Sequence, residues 1–190
     1  YLFTADGSIP GGFPYSTGNK VSTDPALADL SGDGMLEIII GSDDDKLHII
    51  DWQGQALATY AVEGHIQSSP MVDDLDGDGI HEIIFGANDG KLYGVRYSEN
   101  QLSEMSGWPV DLGGTTALKS SPVAFDLDNN SVAEVIVSLT EGMLFAINLD
   151  GTVAPNFPIN LKGSVESSFS VGDLDGDSDP EIAAAASTQL

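Results

Sequence analysis

Apolar residues along this chain come in short runs, each ended by Gly, Asn, Asp or Ser. One series reads EIIIG (37–41), EIIFG (82–86), EVIVS (134–138) and EIAAA (181–185). After the polar turns DDDK, NDGK and TEGM comes a second series, LHIIDW (47–52), LYGVRY (92–97) and LFAINL (144–149). Shorter runs of small residues, ALAD (26–29), MVDD (71–74), VAFD (123–126) and SVGD (170–173), precede the first series, and a more variable fourth set carries GWPVDL (107–112) and NFPINL (156–161). Short runs rich in β-branched residues, with turn formers every ten residues or so, predict strands of antiparallel sheet. No segment longer than a turn or two has helical periodicity.

The strands fall into a repeat. Its marker is an acidic segment between the first two strands, in the copies DLSGDGMLE (29–37), DLDGDGIHE (74–82), DLDNNSVAE (126–134) and DLDGDSDPE (173–181). Each begins Asp-Leu and closes with Glu eight residues later. The leading aspartates are 45, 52 and 47 residues apart, the period of a four-stranded propeller blade. Four residues before them stand Pro25, Pro70, Pro122 and, as the exception, Phe169.

Charge narrows the partners. Six basic residues against thirty acidic ones give a net charge of −24, which argues against nucleic acid and anionic membrane surfaces. With 41% hydrophobic residues and many carboxylates in regular loops, the chain reads as folded rather than disordered. The absence of cysteine excludes disulfides and thiolate metal sites. No run reaches a membrane span, and the opening YLFTADG, without an initiator Met or signal peptide, reads as a processed or excised product.

The loops place oxygen ligands at positions 1, 3, 5, 7 (a backbone carbonyl) and 9, with a glycine position at 6 for a sharp turn, which suits Ca²⁺ better than the strictly octahedral Mg²⁺. Carboxylates about 4 Å apart repel by roughly 4 kcal/mol at an effective dielectric of 20, and a divalent ion reverses that sign. The second loop, with Asp74, Asp76, Asp78, Ile80 and Glu82, is expected to bind most strongly. The first has Asp29, Ser31, Asp33, Met35 and Glu37; the third Asp126, Asp128, Asn130, Val132 and Glu134, with Ser131 at the glycine position; these two are expected to bind least. The fourth has Asp173, Asp175, Asp177, Asp179 and Glu181, with Ser178 at that position and Pro180 before the Glu. The bland reading, turn residues capping their own backbone, fits one copy better than four in register.

An acidic loop followed by a β-branched strand and Gly, repeated at blade spacing over the whole chain, resembles the FG-GAP or VCBS repeats of β-propellers, the family of the integrin α-chain propeller. The resemblance implies an all-β propeller of four blades of four antiparallel strands, up to four Ca²⁺ ions, and an extracellular or cell-surface, secreted setting. Closing with Glu departs from the Asp that integrin-type repeats usually carry.

The fourth repeat ends after its second strand, whereas YLFTADGSIPGGFPYS parallels the third and fourth strands of the third repeat. Joining residue 190 to residue 1 leaves 46 residues from Asp173 to Asp29, with Leu190 or Tyr1 opposite Leu144. One domain, 1–190, then divides into blades 17–63, 64–115 and 116–163 and a split blade of 164–190 plus 1–16. The split blade closes within one molecule, is completed by a neighbouring subunit head to tail, or belongs to a larger propeller.

These features point to a non-enzymatic, calcium-binding structural or adhesive domain. Its partners are other copies or neighbouring propellers, in a cell-surface or extracellular fibre. The alternative is a carbohydrate- or protein-binding propeller of a larger secreted enzyme or adhesin. His48, His65 and His81 share no metal-ligand spacing, Trp52 and Trp108 read as packing residues, and the glycosylation sequon at 129–131 lies inside the third loop.

Overall fold

A computed structural model describes residues 1–113, 117–165 and 167–187. Every element among them is a strand. The first sheet has β1 (Ala26–Ala28), β2 (Glu37–Ser42), β3 (Lys46–Ile50) and β4 (Ala56–Ala61) in that order. The second has β5 (Met71–Asp73), β6 (Glu82–Gly86), β7 (Lys91–Ser98) and β8 (Gln101–Glu104), with β9 (Val110–Asp111) also paired to β7. The third has β10 (Val123–Phe125), β11 (Glu134–Ser138), β12 (Met143–Ile147) and β13 (Ile159–Asn160), and the fourth only β14 (Ser170–Gly172) and β15 (Glu181–Ala183). All pairings are antiparallel.

The sheets stack on one another, which explains why the second strands are continuous apolar runs rather than alternating ones. Successive side chains of a strand point to opposite faces. From β6, Ile83 and Phe85 join Ile39, Leu47 and Ile49 of the first sheet, while Ile84 joins Val135 and Val137 of the third. From β11, Ile136 turns the other way, toward Val165 and Phe169, with Val171 and Ile182 of the fourth sheet packed against them. Every residue of β6 and β11 is buried.

One contact recurs at each junction. Ile66, Leu118 and Val165, eight residues before the leading aspartates of the second, third and fourth loops, are fully buried. Their N–H groups donate back to the preceding sheet, to the carbonyls of Ser42 (3.1 Å), Ala87 (3.2 Å) and Thr140 (3.2 Å). At the first two junctions the seat is a missing side chain, whereas the third repeat has Ser138 at the equivalent position. A Cβ on Gly41 would lie 2.3 Å from Ile66 Cγ2, and one on Gly86 would lie 2.0 Å from Leu118 Cδ2.

Residues 1–16, expected as strands beside 181–187, carry no strand, and among the described residues no hydrogen bond links them to β14 or β15. Their turn is nevertheless formed. Thr4 N donates to Ser8 O and Gly7 N to Thr4 O (both 2.9 Å), the pattern of Asn148–Thr152 in the third sheet. Flanking Tyr1, Phe3 and Ile9 stay exposed, because a two-residue-wide hairpin gains too little without a third strand to pair with. Farther on, the segment lies on the first sheet: Tyr15 Oη is 3.0 Å from His48 Nδ1, and Gly18 N donates to Asp44. Gly12 and Gly54 meet backbone to backbone, as Gly107 and Gly151 do between the second and third sheets. The register proposed at the join involves Leu190, which lies outside the described residues.

Leu118→Ala empties the seat on Gly86 and should cost about 2–5 kcal/mol of unfolding free energy. Urea denaturation followed by fluorescence measures it; a loss within experimental error of zero contradicts this account of the junctions.

Candidate metal loops

The four acidic loops join β1 to β2, β5 to β6, β10 to β11 and β14 to β15. Each is built by the same side-chain-to-backbone bonds. The leading aspartate accepts the N–H of loop position 6: Asp29 from Gly34 (2.8 Å), Asp74 from Gly79 (2.9 Å), Asp126 from Ser131 (2.8 Å) and Asp173 from Ser178 (3.1 Å). Position 5 accepts from position 7, so that Asp33, Asp78, Asn130 and Asp177 anchor Met35, Ile80, Val132 and Asp179. At position 3, Asp76, Asp128 and Asp175 accept the N–H of position 5, while Ser31 offers no carboxylate.

The closing glutamate is the fixed point. Glu37, Glu82, Glu134 and Glu181 each accept the N–H of the leucine at position 2 (Leu30, Leu75, Leu127 and Leu174), always at 2.8 Å. Glu37, Glu82 and Glu134 are buried, at 4%, 0% and 3% exposure. Burial pushes all three carboxyls above their usual range. The leucine N–H groups oppose that shift, and neighbouring loop aspartates add to it. A divalent cation would favour the charged forms of all these acids at once.

Three loops gather ligand atoms within 4.8 Å of one another: Asp74, Asp76 and Asp78; Asp126, Asp128 and Glu134; Asp173, Asp175 and Glu181. Among the described residues the first loop forms no such cluster, consistent with Ser31. Asp74 Oδ1 is buried without a hydrogen-bond partner. Hard oxygen donors at this density, one of them orphaned, fit a metal ion.

In the second loop Glu82 stands outside the aspartate cluster and faces a residue that sequence reading missed. Arg96 pairs with Glu82 in the β6–β7 register and reaches Asp76 (2.8 Å), Asp78 (3.2 Å) and Glu82 (2.7 Å). The available signal was its place 22 residues after Asp74, where the first and third repeats have Asp51 and Asn148. The histidines do not converge: His48 faces Asp44 and Tyr15, and His65 faces Asp45. Trp108 packs across the sheet junction with Nε1 donating to Leu149 O (2.8 Å), while Trp52 is half exposed.

Position 6 is left-handed throughout, with φ of 85° and 86° at Gly34 and Gly79 and of 73° and 78° at Ser131 and Ser178. A side chain in this region costs about 1–2 kcal/mol. Ser131→Gly should therefore stabilise the chain by about 1 kcal/mol in chelator, read as a rise in melting temperature. A fall would show that the serine side chain contributes more than its backbone strain costs.

Residues 74–137, which span two acidic loops, match the model of the FG-GAP-like repeat. Among solved structures, the V. cholerae biofilm matrix protein Bap1 is similar with a TM-score of 0.62 and 28% identity, covering 83% of this chain and 23% of that one. BamB from Moraxella catarrhalis has a TM-score of 0.60 and 16% identity over 84% of this chain and 46% of its own. BBS1N, from its complex with ARL6DN soaked with lead, has 0.59 and 15% over 88% and 48%. The chain thus spans less than half of each of these relatives, and the last two likenesses concern the fold alone. A comparison with curated proteins gave no match. The recurring loop geometry and the family match agree, and the chain carries an FG-GAP-like repeat at residues 74–137.

Proposed function

We propose that this chain is a non-enzymatic, calcium-stabilised propeller domain with a structural or adhesive role outside the cell. The observation that carries the reading is the recurrence of three carboxylate clusters at one and the same strand crossing. Each loop pins the first strand of a sheet to the second, so an ion there holds the fold rather than a substrate. The loop acids are engaged with their own backbone, which leaves no carboxylate pair poised across a cleft for hydrolysis. No helix among the described residues is long and apolar enough to cross a membrane. The repeat match supports an extracellular setting, and millimolar calcium there suits weak sites.

Bap1 is a biofilm matrix protein, and a matrix role for this chain would use its unpaired edges. Among the described residues β15 pairs only with β14, and residues 1–9 keep a hairpin turn without a ladder. Residues 1–16 of one copy, taking up strand structure on the open edge, would complete the fourth sheet of the next, head to tail. A second reading, a carbohydrate- or protein-binding domain, is favoured by the groove between the first two loops, lined by Asp29, Ile80, His81, Tyr97 and Asn100.

Thermal unfolding in calcium and in chelator tests the central reading. At a hundredfold excess over Kd, each occupied site adds about 2.7 kcal/mol, so calcium should raise the melting temperature by several degrees and Asp126→Asn with Asp173→Asn should remove most of the rise. Identical melting with and without calcium overturns the assignment. Light scattering in calcium reads the assembly: particles several chains in mass support head-to-tail growth, and a monomer excludes it.

A further inference from the structure

The second loop differs from the others in what neutralises it. The Arg96 guanidinium lies across three of its carboxylates, with Nη2 2.8 Å from Asp76 Oδ2, Nη1 3.2 Å from Asp78 Oδ2 and Nε 2.7 Å from Glu82 Oε1. The two terminal nitrogens donate hydrogen bonds to Asp78 and Asp76, whereas the Nε–Glu82 contact is an ion pair without hydrogen-bond geometry; a planar guanidinium on a fixed strand suits such bridging of several carboxylates. The β6–β7 ladder fixes the arrangement, because it sets Arg96 directly opposite the fully buried Glu82.

Among the described residues, neither the first nor the third loop has such a cation at this place. In the third repeat the residue 22 positions after the leading aspartate is Asn148, whose amide donates to Thr152 Oγ1 (2.9 Å), although Asn148 lines the same groove as Asp128, Asn130 and Glu134. In the first repeat it is Asp51, which accepts the N–H groups of Gln53 and Gln55. The closing glutamate of the second loop also differs in what it faces. Glu134 and Glu181 share their clusters with the loop aspartates, whereas Glu82 turns its free oxygen to Arg96 and stands apart from Asp74, Asp76 and Asp78.

We propose that Arg96 is a tethered counter-ion of the second loop, a cation supplied by the fold that holds this loop in shape without metal and lowers its affinity for a divalent ion below that of the third and fourth loops. This rests on the calcium reading above. A calcium ion entering the second loop must draw Asp76, Asp78 and Glu82 away from a guanidinium already in contact with them, while the third and fourth loops gather their oxygens without an arginine across them. The loop with the most complete ligand set is therefore the one that least needs an ion, and the metal-dependent crossings are those at the C-terminal end of the array.

Calcium titration calorimetry on the full chain tests the proposal with two reciprocal variants. Arg96→Asn installs the residue that the third repeat tolerates at the same place; Asn148→Arg puts an arginine beside the third loop. Arg96→Asn should bind one more calcium ion per chain than wild type, or bind at its weakest site roughly tenfold more tightly. It should also melt lower in chelator and recover in calcium. Asn148→Arg should bind one ion fewer. If Arg96→Asn binds calcium no better than wild type, the arginine braces the site instead of replacing its ion and the proposal is overturned, while wild-type binding leaves the calcium reading standing. Should Arg96→Asn fail to fold, unchanged calcium binding by Asn148→Arg overturns it equally. If neither wild type nor Arg96→Asn binds calcium, the calcium reading falls and this inference falls with it.

Discussion

A glutamate carboxylate that accepts a backbone N–H from the acidic loop holds each repeat together, and it is buried in the first three. In every copy the glutamate that opens the second strand reaches back under the acidic loop to the leucine after the leading aspartate, at 2.8 Å. This bond closes the loop from below, while the leading aspartate closes it from above through the N–H of position 6. The aspartates are thereby crowded on one side of a glutamate whose ionisation burial already disfavours. Such an arrangement favours positive charge: the third and fourth loops gather oxygen clusters that fit a metal ion, a strand-borne arginine lies against the second, and the first has neither among the described residues.

The crossing so fixed sets the geometry of everything beyond it. It launches β2, β6, β11 and β15 from a common point, so that the two inner ones are sandwiched between sheets and buried on both faces. Stacking then depends on backbone approach: Gly41 and Gly86 lack the Cβ that would collide with Ile66 and Leu118. Spacing is accommodated outside this frame. The second repeat, longest at 52 residues, places its extra length in the β7–β8 hairpin, after which β9 returns to pair with the start of β7.

Much of this was legible in the sequence because it is local or periodic. The acidic loops, the apolar second strands and the GWP and NFP segments that lead into β9 and β13 all stand in the residue pattern. What was not legible depends on pairing. Residues 1–16 copy a strand–turn–strand sequence, and the turn forms from Thr4 to Ser8, but no ladder follows, since strand formation depends on a partner edge that sequence similarity does not supply. Arg96 was invisible for the same reason: residues 82 and 96 become neighbours only through the antiparallel register. Ser131 and Ser178 were recognised at a glycine position, and the structure shows them adopting the left-handed backbone nonetheless, held by Asp126 and Asp173.

The most direct test of the central claim, that these loops are cages for a divalent cation, is a crystal structure grown in calcium with anomalous diffraction data collected at long wavelength. The account predicts peaks bounded by Asp126, Asp128 and Glu134 and by Asp173, Asp175 and Glu181, with the weakest or no density in the second loop beside Arg96. Loops that keep the same backbone bonds while showing no anomalous peak in calcium would contradict it, and would leave the aspartates as caps of their own turns.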